Sequence, residues 1–202
     1  MTIAEKPTGA SSKPSTKERI EREAITIFSQ KGYDAASMRE IAEASGGSKP
    51  VVYDYFKSKG NLCHYLVSAG LEGFRAQLRR TCESGTGDAF ERLRMMVQVH
   101  FNFCEANVEF VRFLYALTFG PDRKKINYDF YAYDAEISHL LKGLLLQASD
   151  SGLIRGGKED AAVQYVRGII NRYVMYRVDG NDRFSPELAE TIIMDMVNGL
   201  RP

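Results

Sequence analysis

From Ser15 onward the apolar residues recur at intervals of three and four, and no stretch alternates like a half-buried strand, so the pattern predicts an all-α chain. Ile20, Ala24, Ile27 and Phe28 form one face of a first helix, opposite Glu18, Arg22 and Lys31, and Gly32 stops it. Ser37 caps a second, short helix with Met38, Ile41 and Ala42 inward, ending before Gly46 and Gly47. A third short helix begins at once, with Ser48 as its cap, Pro50 in its first turn, and Val52 and Phe56 facing inward. Ser58 caps a longer fourth helix that buries Leu62, Tyr65, Leu66, Ala69 and Leu78 and ends near the Ser84–Gly87 loop. Longer helices follow over 88–105, Val108 to Phe119, 129–149, 159–178 and 186–200, the last capped by Ser185 with Pro186 at its first position. No period repeats along the chain.

Two short helices joined by a glycine-containing turn are the helix-turn-helix arrangement, in which the second helix enters the major groove of DNA. With Val52 and Phe56 inward, Lys49, Pro50, Tyr53 and Lys57 project outward from the third helix. Lys49 suits a phosphate or a guanine edge, Ser48 and Tyr53 offer hydroxyls to phosphate oxygens, and Pro50 and Val51 suit a thymine methyl. Asp54 is assigned orientation or discrimination, since its charge opposes phosphate. Tyr55 completes the set on this helix, while Ser37 and Arg39 on one side and Lys59 on the other flank the groove as phosphate contacts. Two tyrosines alone would favour plain packing on a helical hairpin; their company of Ser48, Lys49 and Lys59 reverses this in favour of the groove.

The stretch from Gly32 to Leu62 resembles the N-terminal domain of TetR-family transcriptional regulators. The resemblance rests on Gly32-Tyr33, the cap Ser37, Ile41-Ala42, Gly46 in the turn, Ser48-Lys49, Tyr53 to Phe56, and Lys59 before the fourth helix. Gly47 stands where Val is common and Gly60 where Glu is common; the first departure loosens the packing of the third helix, the second its connection to the fourth. The resemblance implies a cytoplasmic dimer that binds a palindromic operator, acts as a repressor and responds to a small effector. The polar residues up to Thr16, with Pro7, Gly9 and Pro14, read as a flexible tail over 1–16, and the resemblance implies a three-helix DNA-binding domain over 17–62 and a larger helical effector-binding and dimerisation domain over 63–202. By that layout the last two helices pair with those of a second copy, through Val166, Ile170 and Val174 on one and Ile192, Ile193, Met196 and Leu200 on the other. The same residues also suit the core of a monomer.

Rings crowd the middle of the chain, and a cavity lined by His100, Phe101, Cys104, Phe113, Leu117, Tyr133 and Ile137, with Tyr173 and Tyr176, would suit an apolar or aromatic effector. Aromatic stripes at helical spacing are more often plain core, and it is the resemblance that favours a cavity.

Composition changes this picture little. The chain of 202 residues is 44% hydrophobic and 26% charged, ordinary for a globular protein, with no membrane-spanning run and no apolar leader in its first residues. The net charge of +1 gives no electrostatic signature of a DNA binder: 10 basic against 8 acidic residues up to Leu62, and 17 against 18 beyond. Placement must carry the affinity. Cys63, Cys82 and Cys104 show no metal-binding or disulfide spacing and read as reduced and structural. His100 and Cys104 share a helix face, but two ligands do not complete a zinc site, and no phosphate loop, HExxH or GxSxG motif is present, so neither enzyme, metal nor cofactor is expected. A partner-binding dimer of the same fold that has lost DNA binding is the alternative, and Ser48, Lys49, Tyr53 and Lys59 speak against it.

Overall fold

A computed structural model describes residues 13–84, 87–120 and 124–200, the side chain of Leu200 excepted. Among them are nine helices and no strand: α1 (Thr16–Ala35), α2 (Met38–Ala44), α3 (Lys49–Phe56), α4 (Lys59–Glu83), α5 (Ala89–Ala106), α6 (Val108–Phe119), α7 (Phe130–Asp150), α8 (Glu159–Val178) and α9 (Leu188–Leu200). The all-α expectation holds. None of these helices is long and apolar enough to cross a membrane.

Most of the expected start and stop signals act as read. Gly32 leaves helical geometry (φ 79°, ψ 169°), so the regular part of α1 ends there. The Ser37 hydroxyl accepts from the Glu40 amide at 3.2 Å, Ser58 accepts from Asn61 at 3.1 Å, and Asp129 accepts from Ala132 at 2.8 Å. Two boundaries move. Most of the tail expected over 1–16 lies outside the described residues, but its end is structured: Ser15 caps α1 in a reciprocal box with Glu18, each satisfying the other's amide. At the other end Ser185 and Pro186 belong to a turn, closed by the Leu188 amide donating to the Ser185 carbonyl, and α9 starts after it.

The chain divides into two compact units, differently from the expected break after Leu62. The first takes in the described residues up to Gly73 together with Asn107–Tyr128, so that α6 belongs with the helix-turn-helix segment. The reason is local packing: Phe28, wholly buried on α1, stacks on Phe113 of α6 at 5.1 Å and on Tyr33 at 5.9 Å. The Ser29 hydroxyl donates to Glu109 at 2.6 Å, and Lys125 pairs with Asp34. Ile20, Ile41, Leu62 and Leu66 complete a dry core.

The second unit holds Phe74–Ala106 and Asp129 onward. Here α5 packs on α7, α8 and α9 around Leu93, Met96, Leu145, Val166 and Ile193, all nearly or wholly buried. Glu136 of α7 accepts from both Arg75 and Arg79 of α4, and Glu105 of α5 accepts from Arg177 of α8 at 2.8 Å. The three cysteines are buried free thiols, and burial pushes their pKa up to about 12 at Cys63 and about 11 at Cys82 and Cys104, which keeps them protonated and unreactive.

Candidate nucleic-acid interface

The turn between α2 and α3 is built from its backbone. Gly46 adopts φ 69°, a left-handed conformation that costs glycine nothing, and donates to the Glu43 carbonyl at 3.2 Å. Gly47 donates to the Ala42 carbonyl at 2.9 Å. A Cβ on Gly47 would meet nothing nearer than 3.7 Å, so the position where Val is common has room for a side chain, and both turn amides are held without one. Sequence reasoning passed over Arg19, whose guanidinium donates to the Ser45 carbonyl at 3.1 Å and ties α1 to the turn. Its place on the helix surface gives no sign of that reach.

The third helix is pinned by Val52 and Phe56, at 0% and 5% exposure, and turns its other side to solvent. Ser48 has the extended backbone of an N-cap, but its side chain makes no capping bond. It shares the exposed face with Lys49, Pro50, Tyr53, Asp54 and Lys57, and Val51 is half-buried at its edge. Lys49 and Tyr53, one turn apart, stack as ammonium over ring at 5.6 Å. Tyr55 is also exposed, yet two residues are about 200° of helix, so it leaves the Lys49–Tyr53 stripe and tilts against Phe56 at 6.1 Å. Arg39 is largely solvated, with only a distant partner in Glu43 at 3.9 Å. After α3 the chain turns sharply at Lys57 (φ 62°, ψ −37°), with Ser58 donating to the Phe56 carbonyl at 2.6 Å, a strained γ-turn at a non-glycine residue.

Lys59 departs from its expected place as a phosphate contact. Its ammonium donates to the carbonyls of Tyr33 at 2.8 Å, Asp34 at 3.1 Å and Ala36 at 3.0 Å and lies 4.5 Å from the Tyr33 ring centroid. An ammonium has three N–H bonds, and all three are used. Lys59 thus clamps the chain after Gly32 to the start of α4.

The residues expected to line an effector cavity are divided between the two units. Phe113 and Leu117 are core of the first unit, where Phe113 stacks on Phe28; the others lie in the second. There Phe101, Cys104 and Ile137 are buried, Tyr133 is half-buried, and Phe101 meets Phe184 at 4.4 Å and Tyr173 at 6.1 Å. Tyr173 and Tyr176 are 36% and 45% exposed and line an outer groove between α8 and α9. Among the described residues no three His, Cys, Asp or Glu side chains gather as metal ligands.

His100 packs edge-on to Phe74 at 4.9 Å, with Nδ1 2.8 Å from the Met96 carbonyl oxygen. Burial, helped by the nearby Arg167 charge and opposed by the Met96 carbonyl, lowers its pKa from 6.5 to about 4. Between those values the unfolded chain takes up a proton that the folded chain refuses, so stability falls as pH drops through this window. Urea unfolding at pH 7 and pH 4 is expected to show about 1–3 kcal/mol less of this contribution at the lower pH, and His100→Gln is expected to remove it.

The residues expected at the dimer contact divide between core and surface. Val166, Ile170, Val174 and Ile193 are buried in the core of the second unit and do not line its outer groove. The side chain of Leu200 lies outside the described residues. Of the expected contacts whose side chains are described, Ile192 and Met196 line the outer groove. The outward stripe of α8 is instead Tyr165, Ile169, Arg172, Tyr173 and Tyr176, spaced by four, three, one and three residues, a helical face rotated from the predicted one.

Comparison with known proteins agrees with this geometry. The family model for bacterial regulatory proteins of the tetR family matches residues 20–66. The probable HTH-type transcriptional regulator YttP of Bacillus subtilis is 33% identical over 104 residues, covering 51% of this chain and 50% of that protein, so the chain spans about half the length of this relative. The TetR family transcriptional regulator PfmR of Thermus thermophilus superposes with a TM-score of 0.73 at 26% identity over 91% of this chain and 100% of its own. AibR, solved in complex with isovaleryl coenzyme A and operator DNA, shares the fold with a TM-score of 0.66 at 22% identity over 93% and 99%.

Proposed function

We propose that this chain, a member of the TetR family of transcriptional regulators, is a repressor that binds a palindromic operator as a homodimer and responds to a small apolar or aromatic effector. One observation carries the DNA reading: α3 buries Val52 and Phe56 and leaves Ser48, Lys49, Pro50 and Tyr53 on a single open face beside exposed Arg39 and Lys57. That is the polarity a groove-reading helix needs. Ser37 and Val51 flank it; Asp54 discriminates rather than attracts. A module of this size reads only a few base pairs, so two copies on half-sites a helical turn or its multiple apart supply the affinity that net charge does not. The dimer contact falls to the outward α8–α9 groove with its exposed tyrosines. The effector class rests on the aromatic cluster of the second unit, Phe74, Phe101 and Phe103 with His100, and on the isovaleryl coenzyme A held by AibR, a protein of the same fold.

The test is selection of a bound sequence from randomised duplexes with purified protein, then titration of that operator across salt concentrations. A steep loss of affinity with salt is expected, as phosphate neutralisation releases counterions. Lys49→Ala is expected to weaken binding about tenfold or more and to reduce the salt slope by about one per protomer, and Tyr53→Ala to weaken it comparably with the slope kept. No enriched sequence, or a flat salt response, overturns the reading.

A further inference from the structure

We propose that Arg172 and Asp195 pair reciprocally across the two-fold interface between two copies of this chain, and that this pairing selects a second copy as partner. The inference rests on the homodimer proposed above and adds the residues that decide which chain is accepted. Both side chains line the open groove of about 840 Å³ between α8 and α9. Tyr165, Tyr173 and Tyr176 stand exposed around them, and Gly168 and Gly199 leave open space where a Cβ would stand, so another helix can approach closely. Arg and Asp in such a patch are conspicuous. Elsewhere in the second unit Arg75 and Arg79 bind Glu136, Arg167 binds Asp134, and Arg177 binds Glu105. Neither Arg172 nor Asp195 has an ion-pair or hydrogen-bond partner among the described residues, although they share one groove.

An aromatic face that closes on a partner removes both charges from water, and an unpaired buried charge is costly. A partner must therefore bring an acid to Arg172 and a base to Asp195. A two-fold axis does this with the face itself: residue i meets residue j, and j meets i, so each copy supplies what the other lacks. A related chain without both charges leaves at least one unpaired, which is discrimination by repulsion as well as attraction.

The test uses the full chain, with sedimentation equilibrium reading the dimer and circular dichroism confirming the fold of each variant. Arg172→Glu and Asp195→Lys are each expected to raise the dimer dissociation constant a hundredfold or more, since each variant's homodimer juxtaposes like charges twice. Mixing the two variants is expected to restore a one-to-one dimer, in which both contacts are again of opposite sign. The swap Arg172→Asp with Asp195→Arg is expected to restore a homodimer that no longer takes up the unaltered chain. If the unaltered chain is dimeric and the single variants are equally so, the pairing is overturned while the dimer stands. If the single variants weaken and their mixture does not recover, the two residues merely sit in the interface and the pairing is overturned. A monomeric unaltered chain removes the homodimer and this inference with it.

Discussion

Lys59→Met is expected to lower operator affinity by an order of magnitude or more while leaving its salt dependence unchanged. The ammonium donates three bonds, to the carbonyls of Tyr33, Asp34 and Ala36 after the α1 break, and sits against the Tyr33 ring. Hydrogen bonds to a charged group contribute roughly 1.5–3 kcal/mol each where water is excluded, and Lys59 is half-buried, so the set is expected to be worth about 2–4 kcal/mol. Methionine keeps the stem and removes all donors. The segment from Tyr33 to Ala36 leads directly into the Ser37 cap of α2, so its loosening misdirects the helix pair that places α3. No phosphate contact is lost, so the number of released counterions stays the same. Lys49→Ala differs in its salt response, a loss of affinity accompanied by a shallower slope. Lys59→Arg is not expected to rescue, because a planar guanidinium cannot aim three donors at three carbonyls converging on one point. A slope reduced in Lys59→Met as in Lys49→Ala would return Lys59 to the phosphate backbone.

Legibility in the sequence followed the range of the forces involved. The caps at Ser37 and Ser58, the break at Gly32 and the inward pair Val52 and Phe56 depend on residues within one or two turns, and spacing alone reveals them. Lys59 and Arg19 act over 23 to 26 residues of chain, on backbone carbonyls that no pattern of side chains advertises. Charge suggested phosphate for Lys59 because the carbonyls it binds are invisible in a list of residue types. The two faces of α8 are hard to tell apart for another reason: both are apolar enough, and the aliphatic residues Val166, Ile170 and Val174 lie on the side that closes the core of the second unit. The tyrosines and the two charges mark the outer side. The place of α6 is equally hidden, since Phe113 suits cavity or core and nothing local says which core.

Gly70→Ala is expected to destabilise the protein by about 1–3 kcal/mol, the range for forcing extra volume into a packed core. Gly70 is buried on the part of α4 that belongs to the first unit, and a Cβ there would lie 2.3 Å from Cζ of Phe110, with two further ring atoms inside 3.0 Å. The ring cannot retreat easily, because Phe110 is 2% exposed and meets Phe113 at 6.4 Å, which is itself stacked on Phe28. Glycine is therefore kept at this point despite costing an α-helix about 1 kcal/mol against alanine. If propensity alone mattered, Gly70→Ala would stabilise, so the two effects differ in sign and urea unfolding decides between them. Phe110→Leu removes the ring atoms that obstruct the methyl and, alone, costs the contacts of a buried phenyl. In the double variant the methyl of Gly70→Ala occupies space the ring gave up, so the two losses are expected to sum to less than their separate values by about 1 kcal/mol or more. Additive losses would mean that α4 and α6 do not meet at this glycine, and a stabilised single variant would mean that the ring moves aside freely.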